Sequence, residues 1–327
     1  MYLVTGGAGF IGSNIVAALA AQGHAVAVAD WLGTDERWRN LAKHDVADFV
    51  APERLFDWLA VQGDRVRAVI HMGAISATTE TDADLIVERN FRLSHRLWQW
   101  CAGAQRPFIY ASSAATYGDG AAGFEDEFTR EAQARLRPLN AYGWSKHQFD
   151  RLVARHLADG VAAPPQWVGL KFFNVYGPNE YHKGSMRSVV ATNFAKVAAG
   201  EPLRLFKSYR ADYPDGGQKR DFVHVRDCVD VVLWLLANPQ VSGLYNLGTG
   251  QARSWLDLGH ALFAALGKKP AIEFIDMPET LRPKYQYFTE APMARLRAAG
   301  YTMPFTALEA GIADYVGSYL QTEDAYR

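Results

Sequence analysis

Short runs of apolar residues alternate with longer amphipathic stretches along this chain. The first run, residues 2–4, precedes a glycine-rich turn and a stretch whose apolar residues recur at helical spacing; a second run, residues 25–30, ends in Asp30. Later runs of the same kind are residues 67–72, 107–113 and 167–175. Short β-branched and aromatic runs that alternate with helical stretches are typical of βαβ units. The pattern therefore predicts an α/β fold with a Rossmann-type, doubly wound parallel sheet.

The second half of the chain alternates less regularly. The elements predicted there are helices at residues 186–200 and 228–236, strands at 203–206 and 244–250, and a helix, a strand and a helix after Trp255. A polar loop at residues 207–219 contains a Pro-Asp-Gly-Gly turn signal. No clean linker interrupts this order, so we predict two lobes that interleave.

Composition and charge narrow the class of protein. The chain has 327 residues, of which 49% are hydrophobic and 21% charged, as in a globular protein of about two domains. The formal net charge of −1 gives no reason to expect a nucleic acid or an anionic membrane as partner. Cys101 and Cys228 lie too far apart for a metal or disulfide framework. No apolar window reaches about 18 residues, and no leader-like segment opens the chain. We therefore predict a soluble, cytoplasmic protein without a metal.

The segment TGGAGFIGSN places Gly6, Gly9 and Gly12 directly after a predicted strand and at the start of a helix. Glycines permit a tight turn and let backbone N–H groups approach a pyrophosphate, which the helix N-terminus stabilises. Asp30 ends the second predicted strand, where a carboxylate normally accepts a hydrogen bond from a ribose hydroxyl. The segment predicts a nicotinamide dinucleotide site.

The residues after Asp30 leave the choice between NAD and NADP open. The carboxylate favours NAD, and Trp31 stands where many NADP-binding proteins have a small or basic residue. Arg37 and Arg39 follow a turn or so later and would suit a 2′-phosphate. A solvated face explains these two arginines equally well.

The segment HMGAISATT, residues 71–79, follows another predicted strand, so its backbone would line the cofactor. Its first residue, His71, is titratable near neutral pH, which makes it a candidate for proton transfer. A histidine packed into the core explains the position better.

Ser113 and the pair Tyr142-x-x-x-Lys146 give the strongest catalytic signal. Positions i and i+4 share one face of a helix, so Lys146 would lie beside the Tyr142 phenol and lower its pKa. The phenolate would then remove a hydroxyl proton while hydride leaves the carbon, and Ser113 would bind the same oxygen. The serine and the pair follow the glycine turn in the order that a dehydrogenase-type site requires.

Together these segments resemble the extended short-chain dehydrogenase/reductase family, whose members modify nucleotide sugars. The resemblance rests on TGGAGFIG, HMGA, YASSAATYG, YGWSK, FNVYGP and KRDFVHVRD. More narrowly, HKGSM, YNLGTG, YQYFTEA and LRAAGY are similar to the ADP-heptose 6-epimerases of that family, and the similarity runs nearly end to end. It implies an isomerase that oxidises C6″ of an ADP-bound heptose with bound NADP and returns the hydride to the other face. Its product would be a precursor of the lipopolysaccharide core.

The resemblance also implies a role for Lys183, the lysine of HKGSM. A single tyrosine serves the reacting oxygen in one orientation only, so a ketone presented the other way round needs a second acid or base. Lys183 would be that group, whereas Lys146 would tune Tyr142. The alternative is that Lys183 is a cation for the ADP pyrophosphate.

Further site positions are carried over from the family. The implied cofactor contacts are Gly6, Gly9, Phe10, Ile11, Gly12, Asp30, Trp31, Arg37, Met72, Gly73, Ala74, Ile75, Ser76, Lys146 and Val175. The implied substrate contacts are Ser113, Asn174, Ser185, Phe206, Arg220 and Tyr285. Arg220 would pair with the ADP diphosphate; an ion pair with Asp221 or Asp227 is its structural alternative.

The family implies how the lobes and subunits are organised. Residues 1–175 with about 222–250 would bind NADP, and residues 176–221 with 251–327 would form a smaller, mostly C-terminal α/β lobe for the nucleotide sugar. A homo-oligomer, a pentamer in the family, is also implied. Three departures stand out: Trp31 replaces the usual asparagine, no basic residue lies near Pro52, and the loop 207–219 is long. The first two keep NAD open as the cofactor.

Two other functions remain open. One is another nucleotide-sugar epimerase, or a 4,6-dehydratase, of the same superfamily. Dehydratases usually have acidic residues after the catalytic serine or threonine, whereas Ala114 and Ala115 follow Ser113 here. The other is a non-catalytic dinucleotide-binding protein, against which the retained Tyr142 and Lys146 count.

Overall fold

Strands and helices alternate through most of the chain in the computed structural model, which describes residues 1–279, 281–282 and 285–327. The strands are β1 (Tyr2–Thr5), β2 (Val26–Ala29), β3 (Asp48–Val50), β4 (Ala68–His71), β5 (Phe108–Ser113), β6 (Trp167–Phe172), β7 (Asn174–Tyr176), β8 (Leu203–Phe206), β9 (Lys219–His224), β10 (Gly243–Leu247), β11 (Ala252–Ser254) and β12 (Ile272–Ile275). The α-helices are α1 (Phe10–Ala21), α2 (Leu55–Gln62), α3 (Ala83–Ile86), α4 (Leu93–Gly103), α5 (Arg130–Arg135), α6 (Ala141–Ala158), α7 (Val189–Ala198), α8 (Val225–Ala237), α9 (Trp255–Ala265), α10 (Ala294–Ala298) and α11 (Leu308–Tyr315).

Seven parallel strands form the main sheet, in the order β10-β6-β5-β4-β1-β2-β3. The order reverses between β1 and β4, because β2 and β3 lie on one side of β1 and the later strands on the other. Open α/β sheets bind ligands in the crevice beside the carboxyl ends of the strands at such a reversal. The predicted doubly wound α/β fold is confirmed, and the crevice is where the candidate site must be sought.

Both faces of the main sheet are buried. On β1, Leu3 and Val4 are both fully buried and belong to two different core clusters. Leu3 packs in the cluster that contains Trp98 of α4, and Val4 packs in the cluster that contains Ile15 of α1 and Val229 of α8. Parallel strands that are covered on both faces read as continuous apolar runs, which is why the sequence pattern located them.

The single strand predicted at residues 167–175 is wrong, because the structure divides it into β6 and β7. The division falls at Phe173, whose backbone N–H donates to the carbonyl of Leu247 at 3.0 Å. After it, β7 pairs with β9 in a separate three-stranded sheet, in the order β11-β9-β7. The apolar run continues through the division, so its composition did not reveal where the chain leaves the main sheet.

The remaining strands and helices form a smaller layer beside the crevice. Strands β8 and β12 pair in parallel, and helices α7, α9 and α11 share one core cluster with them. The predicted polar loop is present between β8 and β9. The described residues from Trp255 onwards include α9, β12, α10, α11 and a π-helical segment, Val316–Leu320, so they contain more helical elements than the predicted helix, strand and helix. Of the helices described, none has the length and apolar character needed to cross a membrane.

Candidate active site

The turn between β1 and α1 fits the pyrophosphate of a dinucleotide. Gly6 has φ +65°, and a Cβ there would lie 2.5 Å from the backbone nitrogen of Gly73. A Cβ on Gly12 would overlap the carbonyl oxygen of Gly6, at 2.1 Å. Gly9 caps α1 without a side-chain hydrogen bond, and the first turn, which begins with Phe10 and Ile11, has no acidic residue. The N–H groups of the first turn of α1 are therefore available to an anion.

The Asp30 carboxylate is held by this turn. Its Oδ2 accepts from the Ala8 N–H at 2.9 Å and its Oδ1 from the Trp31 N–H at 2.8 Å. Burial raises the pKa of Asp30, whereas these two hydrogen bonds act in the opposite direction. The carboxylate therefore lies beside the glycine turn, where the sequence predicted a ribose contact.

A carboxylate stands close to Trp31. The Trp31 indole N–H donates to Glu53 at 2.9 Å, and the Arg89 guanidinium lies 4.1 Å from the Trp31 ring centroid. Arg89 also approaches Glu53 at 3.8 Å. An acidic side chain therefore follows Pro52, where the family led us to expect a basic one.

The two arginines that were candidates for a 2′-phosphate lie in different surroundings. Arg37 donates to the Trp31 carbonyl at 3.3 Å and pairs with Asp35 at 3.3 Å. Arg39 pairs with its neighbour Glu36, and its guanidinium lies 4.7 Å from the Tyr326 ring. Of the two, Arg37 is the one that contacts the Asp30–Trp31 corner.

His71 is a structural residue, as the sequence favoured. It is 1% exposed and contacts the Thr5 hydroxyl at 2.6 Å and the Ser94 hydroxyl at 2.8 Å. The Ser94 proton is committed to the carbonyl of Asn90, so the His71 Nε2–H donates to Ser94 and Nδ1 accepts from Thr5. Burial and the Lys146 charge lower the pKa of His71 to about 3. The imidazole is therefore neutral and engaged at both nitrogens.

Asn90 braces a segment in which the sequence predicted cofactor contacts at Met72, Gly73, Ala74, Ile75 and Ser76. Its amide accepts from the Ile75 N–H at 2.8 Å and donates to the Ile75 carbonyl at 3.0 Å. It also donates to the Ser145 hydroxyl on α6 at 3.0 Å. Asn90 lies in a π-helical segment, Val87–Arg92, which nothing in the sequence pattern signals. The sequence analysis therefore missed this residue.

The structure brings Ser113, Tyr142 and Lys146 together at the carboxyl edge of the main sheet. Ser113 ends β5, and Tyr142 and Lys146 lie on α6, one turn apart. The N-terminus of α6 approaches the strand end closely, because a Cβ on Gly143 would lie 2.6 Å from the Ala115 carbonyl oxygen. The Ser113 hydroxyl lies close enough to Tyr142 to lower the pKa of its phenol.

The pKa of Tyr142 is shifted in the direction opposite to the one predicted from the sequence. Burial raises the pKa of Tyr142, and the nearby Ser113 hydroxyl lowers it by less. Burial also lowers the pKa of Lys146 to about 8, opposed by the Asp150 charge, and the ammonium group donates to the Ala111 carbonyl at 2.8 Å. The prediction of a lowered pKa for Tyr142 rested on the positive charges of Lys146 and of the nicotinamide. That direction is wrong for this arrangement, because removing the phenolate from water has the larger effect.

Lys183 lies on a different element, in the 3-10 segment Tyr181–Met186. Its ammonium group is 5.1 Å from the centroid of the Phe10 ring, at the glycine turn. Burial lowers the pKa of Lys183, and the Glu180 charge opposes this. Among the described residues, no hydrogen bond joins its side chain to Tyr142. Ser185 follows in the same segment and is exposed.

A second group of predicted residues lies close together. The Arg220 guanidinium is 5.2 Å from the Tyr285 ring centroid, and the Tyr285 and Phe206 rings are 6.3 Å apart. Tyr285 also accepts a hydrogen bond from the Trp255 indole at 2.9 Å. Asn174 lies on β7, where it pairs with β9. The three predicted contacts Phe206, Arg220 and Tyr285 therefore form one aromatic and cationic cluster.

Arg220 is buried without a carboxylate partner among the described residues. It is 7% exposed and donates to the backbone carbonyls of Lys219 and Gln286. The expected alternative, an ion pair with Asp221 or Asp227, is wrong: Asp221 binds the Thr249 N–H and hydroxyl, and Asp227 binds Thr306. A buried guanidinium in such a position suits an anionic ligand.

Val175 is half-buried and packs against the core cluster that contains Val4. Its backbone N–H donates to the Phe173 carbonyl at 3.0 Å, directly after the chain leaves the main sheet. It therefore lies between the main sheet and the smaller layer, next to the crevice.

Comparison with known proteins relates this arrangement to one family. The family model for the NAD dependent epimerase/dehydratase family matches residues 2–248. A relative from Nitratidesulfovibrio vulgaris, strain Hildenborough, named ADP-L-glycero-D-manno-heptose-6-epimerase, is 51% identical over the full length of both chains. A relative of the same name from Fusobacterium nucleatum is 45% identical, also over both full lengths.

Solved structures agree with this relationship. The crystal structure of Helicobacter pylori ADP-L-glycero-D-manno-heptose-6-epimerase has a TM-score of 0.78 and 27% identity, covering 97% of this chain and 95% of that one. A Thermus thermophilus UDP-glucose 4-epimerase, solved in complex with NAD, has a TM-score of 0.75 and 30% identity, covering 96% of this chain and 97% of that one. The resemblance drawn from the motifs is confirmed.

Proposed function

This chain belongs to the NAD dependent epimerase/dehydratase family, and we propose that it converts ADP-D-glycero-D-manno-heptose into its L-glycero epimer. The reaction inverts C6″ by oxidising it to a ketone and then reducing the ketone from the other face. A nicotinamide held along the glycine turn would supply hydride transfer in both directions, so there would be no net oxidation and no free reductant would be consumed. The remaining task of the protein is to bind and orient the nucleotide sugar and to move one proton in each of the two steps.

One feature of the site carries this proposal: two groups able to transfer protons lie on separate elements. Tyr142 lies on α6, near Ser113 at the end of β5, whereas Lys183 lies on the segment after β7. An enzyme that oxidises or reduces in one direction needs one such group. Inversion requires a second, because the reacting oxygen points elsewhere once the sugar has turned.

Tyr142 serves one orientation of the sugar. Its phenolate removes the C6″ hydroxyl proton, while the Ser113 hydroxyl binds the same oxygen. Burial raises the pKa of the phenol, so Tyr142 forms a phenolate only when positive charge is near. Lys146, whose ammonium is fixed on the Ala111 carbonyl, supplies part of that charge.

Lys183 serves the other orientation, in which its ammonium group gives a proton to the ketone oxygen. Burial lowers its pKa, which favours release of that proton, and the charge of Glu180 limits the effect. The alternative role, binding of a phosphate, draws support from its position near Phe10 at the glycine turn. A variant that loses proton transfer but keeps its nucleotides distinguishes the two roles.

The dinucleotide is held along the glycine turn, Asp30 and the segment 72–76, and we propose NADP as the resident form. Arg37 is the cation that contacts the Trp31 corner and would face a 2′-phosphate. Glu53 at the same corner opposes a second negative charge and favours NAD. Identifying the nucleotide released from the purified protein by acid distinguishes the two cofactors.

We propose that the ADP part binds at the Arg220 cluster, in a lobe formed by residues 176–221 and 251–327. Residues 1–175 with about 222–250 would hold the cofactor. The buried Arg220 guanidinium would then find its anionic partner in the diphosphate, next to the Phe206 and Tyr285 rings. Assembly into a homo-oligomer, a pentamer by family resemblance, and action in the cytoplasm remain predictions.

The test is an NMR time course of the purified protein with ADP-D-glycero-D-manno-heptose and no added cofactor. Appearance of the L-glycero epimer supports both the reaction and a cofactor carried through purification. Absence of conversion, with NADP or NAD also supplied, contradicts the proposal. A screen of ADP-, UDP- and GDP-sugars would then test the other epimerase and dehydratase activities.

A further inference from the structure

Glu180 closes the loop that carries Lys183. Its side chain is fully buried, and its carboxylate accepts hydrogen bonds from both ends of residues 177–188. At the first end, the Gly177 N–H donates to Oε1 at 3.4 Å. At the second end, the Ser188 hydroxyl donates to Oε1 at 2.7 Å and the Ser188 N–H donates to Oε2. One carboxylate therefore ties the beginning of this loop to its end.

Glu180 also contacts Lys183 through its backbone and its charge. The Lys183 N–H donates to the Glu180 carbonyl at 3.1 Å. Burial raises the pKa of Glu180, and the Ser188 hydrogen bonds and the Lys183 charge oppose this. The carboxylate and the ammonium group therefore act on each other within one loop.

Asn179 fixes the loop to the cofactor-binding helix. It is fully buried and has φ +74°, a left-handed conformation that is uncommon for a residue other than glycine. Its amide donates to the Ser13 hydroxyl on α1 at 3.0 Å, and Ser13 donates to the Phe10 carbonyl at 3.1 Å. Because the Phe10 ring is the group that Lys183 approaches, the loop is anchored on the surface that its lysine faces.

We infer that Glu180 is the positioning residue for Lys183, and that its carboxylate holds the loop 177–188 in the form that presents Lys183 to the reacting oxygen. This inference rests on the proposed function, in which Lys183 transfers a proton. The three side-chain hydrogen bonds of Glu180 all come from donors, and an ionised carboxylate is acceptor-only. Glutamine keeps the shape but turns an NH₂ group towards a donor, so Glu180→Gln should loosen the loop.

Comparing the two epimers separates this effect from a general loss of structure. In the proposed reaction, oxidation of one epimer uses Tyr142 and oxidation of the other uses Lys183. The purified enzyme with its bound cofactor is mixed with each epimer, and reduction of the bound nicotinamide is followed by absorbance. Lys183→Ala should slow the reduction by one epimer only. Glu180→Gln should slow the same epimer by about 10²-fold, as expected for a catalytic group displaced by about 1 Å.

Asp227→Asn is the matched control. Asp227 is also a buried carboxylate that accepts from a backbone N–H and a hydroxyl, both of Thr306, but it lies outside the proposed site. This variant should leave the ratio of the two epimer rates unchanged. Hydrogen exchange supplies a readout independent of the cofactor: amides in residues 177–188 should exchange faster in Glu180→Gln than in Asp227→Asn.

The outcomes distinguish a failure of the proposed function from a failure of the inference about Glu180. If Lys183→Ala slows both epimers equally or neither, the proposed role of Lys183 fails. If Lys183→Ala is selective but Glu180→Gln slows both epimers equally or neither, the inference about Glu180 is overturned and the function stands. Should Glu180→Gln not fold, Glu180→Asp replaces it, because it keeps an acceptor-only group at shorter reach. Glu180→Asp should slow the reaction of the same epimer by less than Lys183→Ala does. If Glu180→Asp reacted with both epimers as fast as the wild type does, the inference would be overturned.

Discussion

The Lys171 ammonium group and the Asp150 carboxylate lie 3.9 Å apart, and both side chains are fully buried. Lys171 is on β6, and Asp150 is on α6, one turn after Lys146. The carboxylate also accepts from the Tyr110 hydroxyl at 3.1 Å and the Ser112 hydroxyl at 2.7 Å. This buried group therefore joins β5, which ends in Ser113, to the helix that carries Tyr142 and Lys146.

Replacing Asp150 by Asn should destabilise the fold strongly. The change leaves the Lys171 ammonium buried without its counter-charge, a type of loss that costs about 3–5 kcal/mol of unfolding free energy. Urea unfolding measures the change. Asp159→Asn is the control, since Asp159 pairs with Arg130 at 3.3 Å on the surface. That variant should cost less than about 1 kcal/mol. Equal losses would mean that the buried pair is not important for stability.

Tyr142→Phe should lower the rate of epimerisation by about 10²–10⁴-fold, because it removes the acid or base for one orientation of the substrate. The amount of nucleotide that copurifies with the protein should not change. Tyr245→Phe is the control, because it removes the hydroxyl of another tyrosine, one that donates to the Ser242 carbonyl at 2.9 Å. Its rate should stay close to wild type. Similar losses in the two variants would deny Tyr142 a part in the chemistry.

His71 should make the protein less stable as the solution is acidified. The pKa of His71 is about 3 in the folded protein, whereas the ordinary value for histidine is 6.5, so folding lowers this pKa. Above pH 6.5 the neutral imidazole makes its full contribution to the free energy of unfolding. That contribution falls as the pH drops towards 3, because only the unfolded chain takes up the proton.

In His71→Gln, the slope of unfolding free energy against pH should therefore be smaller by up to about 1.4 kcal/mol per pH unit in that range. Urea unfolding at several pH values gives the slope. The exposed His260→Gln is the control and should retain the wild-type slope. An unchanged slope in His71→Gln would show that this imidazole is not kept neutral by the fold.

Glu53→Gln should shift the bound cofactor towards NADP. The variant removes a carboxylate that accepts from the Trp31 indole at 2.9 Å, at the corner where a 2′-phosphate would add negative charge. Nucleotide released from the purified variant and from wild type is separated and quantified. Asp57→Asn removes an exposed carboxylate that pairs with Arg54 instead, so it should leave the ratio unchanged. An unaltered ratio in Glu53→Gln would place the 2′ position elsewhere.

Much of the main sheet followed from composition because its strands are buried on both faces. Leu3 and Val4 point into different core clusters, so the apolar run to which they belong carried a clear signal. Strand β3 carried no such signal, since Asp48 and Phe49 are exposed at the sheet edge. The division of the chain at Phe173 depends on a contact with Leu247, which is remote in sequence.

The candidate site shows the same distinction between local and remote causes. The spacing of Tyr142 and Lys146 on one helix face is a local property and was predicted. The raised pKa of Tyr142 depends on everything that covers it, and the roles of Asn90 and Glu180 depend on contacts across the fold. Side chains of those two types are common in exposed loops, so their identity alone did not mark them.

The position of β10 has a consequence for how the protein is made. Strand β6 is covered on one edge by β5, but its other edge meets β10, which is formed by Gly243–Leu247. During synthesis, the sheet edge of Gly169 and Leu170 must therefore wait for more than seventy further residues, about the length from β6 to β10 in a chain that grows in order. Until then it remains an apolar, unpaired edge, which is the kind of surface that chaperones bind and other strands pair with. A ribosome that stalls before Leu247 would release a nascent chain prone to aggregation, although Ser113, Tyr142 and Lys146 had already been added.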